Sequence, residues 1–239
     1  MLPVHEIFTS IDGEVNTWGQ GAFTTFIRLA GCNMRFSYCD TPHALTVSES
    51  TPQMTVQEIV DKVLLSHPIQ KVTITGGEPL LSPFELYALI QLLVNQGLNV
   101  SIETNGSLAP SQFLTALRVN WVFDYKLPSS GMDKIRLEDS YFLRAIPARS
   151  WVKFVIKTEE DWEIACSMAC AMYNAWKDLW NDLKFFPKIA FSPCMGVEGA
   201  ITPEELVKRC VASGLFFVTI NCQIHKFLFP KGERFLTIL

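Results

Sequence analysis

Apolar and polar residues alternate along Glu6–Glu14 (EIFTSIDGE) up to a turn at Asp12-Gly13, and Thr24–Ala30 (TTFIRLA) predicts a strand. The rhythm then lengthens. Val56, Ile59, Val60, Val63 and Leu64 recur at helical spacing behind Thr55-x-x-Glu58, a capping box. Lys71–Thr75 is short and β-branched, so it predicts a strand, and it ends in Gly76-Gly77-Glu78-Pro79. Ser82-Pro83-Phe84-Glu85 predicts a second capping box with proline at the first helical position. Leu86, Leu89, Ile90 and Leu93 supply that helix's apolar face, and Gly97 its stop. Further strands are predicted at Asn99–Thr104, Trp121–Lys126, Trp151–Lys157, Lys188–Pro193 and Phe216–Cys222, the last closing the series. Between them fall a weak helix at Ser111–Arg118, a loop with a short helix in Gly131–Pro147, and one long helix over Thr158–Leu183. Its Trp162, Trp176 and Trp180 read as core or interface anchors; Thr202-Pro203-Glu204-Glu205 caps the last helix, which stops at Gly214.

Strands alternating with helical patterns predict an α/β fold of mostly parallel strands, with sites at the strands' carboxyl ends. The unusual residues fall there: Cys32, Cys39, Asp40 and Thr41; Gly76-Gly77-Glu78; Glu103-Thr104-Asn105; Asp124-Tyr125-Lys126; and Ser192-Pro193-Cys194. Five segments are therefore expected to converge on one rim. With no internal repeat or linker, residues 1–239 read as one domain.

Composition narrows the function classes. The chain has 239 residues, 49% hydrophobic and 18% charged, which fits an ordered globular protein. With a net charge of −4 and no basic run beyond two residues, no nucleic-acid partner is expected. MLPVHEIF lacks the pattern of a signal peptide and no apolar run approaches a membrane span, so a cytoplasmic protein without a membrane partner is expected. Its seven cysteines then read as free thiols or ligands.

Gly31–Thr41 (GCNMRFSYCDT) sets Cys32 and Cys39 in one short loop, which points to metal before disulfide. Phe36 stands between them. Gly76-Gly77 either admits a ligand to the backbone or makes an ordinary turn. Arg28 either forks onto a substrate carboxylate or pairs with Glu14 or Glu6. Lys126 reads as a solvated strand-end lysine and His225 as a satisfied structural group. Cys166 and Cys170, one helical turn apart, read as buried thiols, and Cys210 and Cys222 as core.

In this order, EIFTSIDGE, TFIRLAGCN, SYCDT, TITGGEPLL, IETNGS, the Asp124–Lys126 strand end, KFVIK, FSP and QIHK resemble the radical S-adenosylmethionine superfamily, and within it the 7-carboxy-7-deazaguanine synthases. The resemblance runs from residue 6 to about residue 230. It implies a partial (β/α) barrel, a homodimer, a [4Fe–4S] cluster, S-adenosyl-L-methionine and Mg²⁺. It implies a radical that abstracts hydrogen from a pterin substrate, 6-carboxy-5,6,7,8-tetrahydropterin, whose ring contracts with loss of ammonia. A flavodoxin-like or ferredoxin-like electron donor is implied too, and no catalytic side chain beyond the cofactor. Carried over by position, Cys32 and Cys39 match the first and third cluster ligands and Thr41 the Mg²⁺ ligand. Tyr38, Cys39, Asp40, Gly77, Glu78, Asp124, Tyr125, Lys126 and Ser192 match cofactor contacts. Ile11, Asp12, Gly13, Glu14, Arg28, Thr75 and Pro230 match substrate contacts.

Two departures stand out. Asp12 and Val15 replace the residues common in the family, and Phe36 occupies the middle cluster-cysteine position of Cys-x3-Cys-x2-Cys. A phenyl ring offers iron no lone pair. Three accounts of Phe36 are open: an altered position in a working synthase; a substitute ligand among Asp40, His43 and Cys194, ranked last; or a cluster-deficient relic that binds a pterin or nucleoside. A radical-enzyme activase is a further alternative, disfavoured by QIHK.

Overall fold

A computed structural model describes residues 1–179, 186–229 and 236–239. Among the described residues ten strands form one sheet: β1 (Leu2–Ile11), β2 (Phe23–Leu29), β3 (Gln53–Met54), β4 (Lys71–Gly76), β5 (Asn99–Thr104), β6 (Asn120–Asp124), β7 (Trp151–Ile156), β8 (Lys188–Pro193), β9 (Val218–Ile220) and β10 (Leu236–Thr237). The order is β10-β1-β2-β4-β5-β6-β7-β8-β9, with β3 beside β1. From β2 to β9 every neighbour is parallel, whereas β1 pairs antiparallel with β2, β3 and β10. An open sheet of this kind is the expected partial barrel.

The helices are α1 (Val56–Leu64), α2 (Pro83–Asn95), α3 (Gln112–Thr115), α4 (Asp139–Arg144), α5 (Glu159–Leu179), α6 (Pro203–Ala212) and α7 (Ile224–Leu228). The Thr55/Glu58 capping box forms in both directions. The one expected at Ser82 does not: Pro83 holds the first helical position, but the serine side chain makes no cap bond. The Ser111–Arg118 helix shrinks to α3, and Phe216–Cys222 keeps only β9 as strand. Two elements follow the expected end of the series, α7 and β10, and β10 returns to β1. Trp162 and Trp176 are buried; Trp180 and the rest of the expected helix lie outside the described residues.

Strand side chains alternate between two environments, because successive Cβ atoms point to opposite faces. Ile27, Ile74, Ile102, Phe123, Phe154 and Phe191 face the helices and join one core with the buried faces of α1, α2, α5 and α6. The residues of opposite parity, among them Arg28, Glu103, Asp124 and Lys153, line a cavity instead. No described helix is long and apolar enough to cross a membrane.

Candidate active site

The cavity has a volume of about 660 Å³ and opens at the carboxyl ends of the parallel strands. Each of the five segments expected on the rim contributes to its wall, the cysteine loop and the ends of β4, β5, β6 and β8, and the end of β1 joins them. The β4 end is anchored through backbone. Gly77 N–H donates to the Leu29 carbonyl (2.8 Å) and Glu78 N–H to the Gly31 carbonyl (2.8 Å). Gly76 has φ +123°, and a Cβ on Gly77 would overlap the Gly31 carbonyl. The glycine pair therefore serves first to bring β4 against the start of the cysteine loop. The Gly77 and Glu78 N–H groups are already spent on that contact.

Glu78 is a brace. Its carboxylate accepts from Leu80 N–H (2.9 Å), the Thr104 hydroxyl (2.8 Å) and Asn105 N–H (2.7 Å). Burial outweighs these bonds and pushes its pKa up to about 7. It does not line the cavity, although the neighbouring Gly77 does.

A charged network occupies the floor. Lys153 Nζ lies 3.1 Å from Glu14 Oε2 and 3.1 Å from Asp124 Oδ1, and Lys126 Nζ lies 2.7 Å from Asp124 Oδ2. Burial works against the Asp124 charge, but Lys126 and Lys153 prevail and hold its carboxyl at about 2. Burial likewise opposes the Lys153 charge; Asp124, Glu14 and Glu103 outweigh it and raise its pKa well above the usual lysine value. Glu14 also accepts from Gln223 Nε2 (2.6 Å), which ties β1 to the segment before α7. Burial raises the Glu14 pKa, yet Lys153 and Gln223 bring it net below the usual value. Glu103 goes the other way. Burial, then the charges of Asp12 and Glu14, push it up to about 8, so it is a neutral acid at pH 7 and accepts from the Thr75 hydroxyl (2.8 Å).

Of its expected pairings, Arg28 makes the one with Glu6. Nε bonds Glu6 Oε1 at 2.7 Å, while the residue lines the cavity and its terminal nitrogens make no hydrogen bond to the described residues. Asp12 has no such freedom. Lys71, the Thr73 hydroxyl (3.0 Å) and Glu14 N–H (3.1 Å) occupy its carboxylate. Ile11, Gly13, Glu14, Thr75, Tyr38, Cys39, Asp40 and Thr41 all line the cavity. Burial pushes the Tyr38 hydroxyl's pKa up.

Three residues expected as cofactor contacts lie off the cavity wall. Tyr125 has the opposite strand parity to Asp124 and packs in the core, its hydroxyl on Asp139 (2.6 Å). Ser192 is fully buried and accepts from Asn221 (3.4 Å) outside the cavity wall. Glu78 acts through the brace just described. Pro230 lies outside the described residues.

The remaining single-residue readings have mixed outcomes. Lys126 is buried rather than solvated, and His225 lines the cavity against Gly13. Cys170 is exposed, and Cys166 and Cys222 are only partly buried, while Cys210 is core. Lys153 escaped notice altogether. Its signal was a lysine inside an otherwise apolar strand, which is buried only when paired.

Cys32 and Cys39 both reach the cavity. Cys32 Sγ accepts from Met34 N–H and Asn105 Nδ2, each at 3.5 Å, and Cys39 Sγ lies 3.8 Å from Thr41 Oγ1. The Phe36 ring lies under the Lys126 ammonium, 3.9 Å from its centroid. Among the described residues, no group of three His, Cys, Asp or Glu ligand atoms within 4.8 Å contains either thiol. Asp40, His43 and Cys194 thus complete no site there. Two thiolates and a phenyl ring do not fit a [4Fe–4S] cluster held by three cysteines. The single Thr41 hydroxyl fits Mg²⁺ only where substrate oxygens and water supply the other ligands.

Residues 26–123 match the family model described as the radical SAM superfamily. The chain is similar to the 7-carboxy-7-deazaguanine synthase of Clostridium acetobutylicum, 33% identical over 232 residues and covering 97% of each chain. It is similar also to that of Chlorobaculum tepidum, 35% identical over 234 residues, 98% of this chain and 96% of the relative. The fold resembles the crystal structure of QueE from Escherichia coli, with a TM-score of 0.65 and 20% identity over 92% of this chain and 94% of that one.

Proposed function

The chain belongs to the 7-carboxy-7-deazaguanine synthase family of the radical SAM superfamily, and from that membership we infer that its cavity takes 6-carboxy-5,6,7,8-tetrahydropterin beside S-adenosylmethionine. The reaction is a ring contraction with loss of ammonia to 7-carboxy-7-deazaguanine, a carbon–nitrogen lyase step of queuosine and 7-deazapurine biosynthesis. One observation carries the reading: Arg28, Glu14, Glu103, Asp124, Lys126 and both loop cysteines share one 660 Å³ wall.

In this reading Arg28 uses its terminal nitrogens on the substrate carboxylate, with Glu6 fixing its plane through Nε. Glu14, ionised, and Glu103, neutral, offer acceptor oxygens to the N–H groups of the pterin ring. Tyr38, Gly77, Asp124 and Lys126 stand on the cofactor's side, and Thr41 contributes a hydroxyl to Mg²⁺. Cys32 and Cys39 would hold two corners of the family's [4Fe–4S] cluster, which would supply the reducing electron, and Phe36 offers no third thiolate. Restoring cysteine at 36 is therefore the condition for turnover. A homodimer, a flavodoxin- or ferredoxin-like donor, a cytoplasmic location and a single-domain chain belong to the same proposal and rest on the resemblance and the sequence.

Substrate binding is separable from turnover. Calorimetry of the anaerobic protein with the pterin should give saturable binding to the chain as it stands. Arg28→Ala should weaken it by roughly 10–100-fold, the value of a charge-assisted pair. No binding to either the parent or a Phe36→Cys variant would overturn the assignment.

A further inference from the structure

The β1–β2 register shifts between Val4 and Glu6: Val4 pairs with Leu29 and Glu6 with Arg28, so His5 and Glu6 together oppose one residue of β2. Such a bulge re-aims a side chain that regular alternation would send to the opposite face. Here it brings His5 beside Glu6. His43, on the short turn Pro42–Ala44 after the cysteine loop, completes a trio whose ligand atoms all lie within 4.8 Å of one another. The imidazole rings of His5 and His43 stand 4.8 Å apart at 41°, and His43 Nε2 lies 3.9 Å from Glu6 Oε1.

We propose that His5, Glu6 and His43 form a binding site for one divalent transition-metal ion of the Zn²⁺, Co²⁺ or Fe²⁺ class. Two imidazoles and one carboxylate on one side of an ion, with the remaining positions open, suit these borderline metals and not Mg²⁺, which takes oxygen. Bonds of about 2.0–2.2 Å place neighbouring ligand atoms roughly 3 Å apart. Metal binding therefore requires the trio to close from its present spacing of up to 4.8 Å. The carboxylate is already oriented: Arg28 Nε bonds Glu6 Oε1 at 2.7 Å, the kind of outer partner that fixes a metal-bound carboxylate. The site differs from the Thr41 position in its donors, two imidazoles and a carboxylate, two of them supplied by β1. An ion there pins the turn carrying His43, and the cysteine loop before it, to β1.

Cobalt distinguishes this site from the thiols. Tag-free protein carrying Cys32→Ser and Cys39→Ser should bind one Co²⁺ per chain with weak d–d bands and no thiolate charge-transfer band. His43→Ala and His5→Ala should each weaken binding at least about ten-fold. His43 is partly exposed, with 42% of its side-chain surface accessible, so its removal does not threaten folding. Absence of saturable Co²⁺ binding, a spectrum dominated by thiolate bands, or affinity unchanged in both histidine variants would overturn the proposal.

Discussion

The Lys126 ammonium sits 3.9 Å from the centroid of the Phe36 ring, in the loop between Cys32 and Cys39. The ring is therefore more than a missing ligand. It covers a cation that Asp124 holds from the other side at 2.7 Å. A cation over an aromatic face is worth about 0.5–2 kcal/mol, the upper value when it is desolvated. Phe36→Leu keeps an apolar side chain without the quadrupole and should cost about 1 kcal/mol in urea denaturation. Lys126→Met strips Asp124 of a buried partner and should cost about 3 kcal/mol.

Acid should release the Asp124 contribution. Its folded pKa of about 2 is below the ordinary 3.8, so the stabilisation is full above pH 4 and is lost as pH falls towards 2. The shift corresponds to about 2 kcal/mol. Asp124→Asn should flatten the unfolding free energy between pH 4 and pH 2 and be markedly destabilising at pH 7.

Glu103 gives the opposite slope. Its folded pKa of about 8 is above the ordinary 4.5, because of burial and the charges of Asp12 and Glu14. The native state then binds the extra proton, and stability falls as pH rises from about 4.5 to 8. Glu103→Gln keeps an acceptor for Thr75 without the charge. Its melting temperature should exceed the parent's by about 2–4 °C at pH 8, with little gain at pH 5.

Two glycines separate backbone overlap from side-chain overlap. A Cβ on Gly77 meets the Gly31 carbonyl, which is held by the Glu78 N–H, and cannot be relieved locally. The three atoms nearest a Cβ on Gly13 all belong to the His225 imidazole, a side chain that can swing away. Gly77→Ala should cost about 3 kcal/mol or more and Gly13→Ala about 1 kcal/mol by chemical denaturation. The second should still weaken pterin binding, because His225 lines the cavity.

Strand ends were legible because two-residue alternation and glycine turns are local signals. Asn99–Thr104 and Lys188–Pro193 match β5 and β8 residue for residue. The apolar face of α2 is buried at all four expected leucine and isoleucine positions. Long-range pairing was not legible. Nothing local tells that Gln223 reaches back to Glu14, that β10 returns to β1, or that a bulge turns His5 beside Glu6. Tyr125 was misplaced because a contiguous motif was carried over whole, although strand parity sends its middle residue into the core. Lys153 was passed over because a lysine's burial depends on acids brought by other strands, here Glu14 and Asp124.

Iron content tests the central claim most directly. The parent and Phe36→Cys are reconstituted anaerobically with iron and sulfide, then assayed for bound iron and for 5′-deoxyadenosine formed from S-adenosylmethionine under reduction. The variant should hold about four irons per chain and form 5′-deoxyadenosine; the parent should hold fewer and form none. A parent that binds the full cluster and turns over, or a variant that binds no iron, would contradict the account.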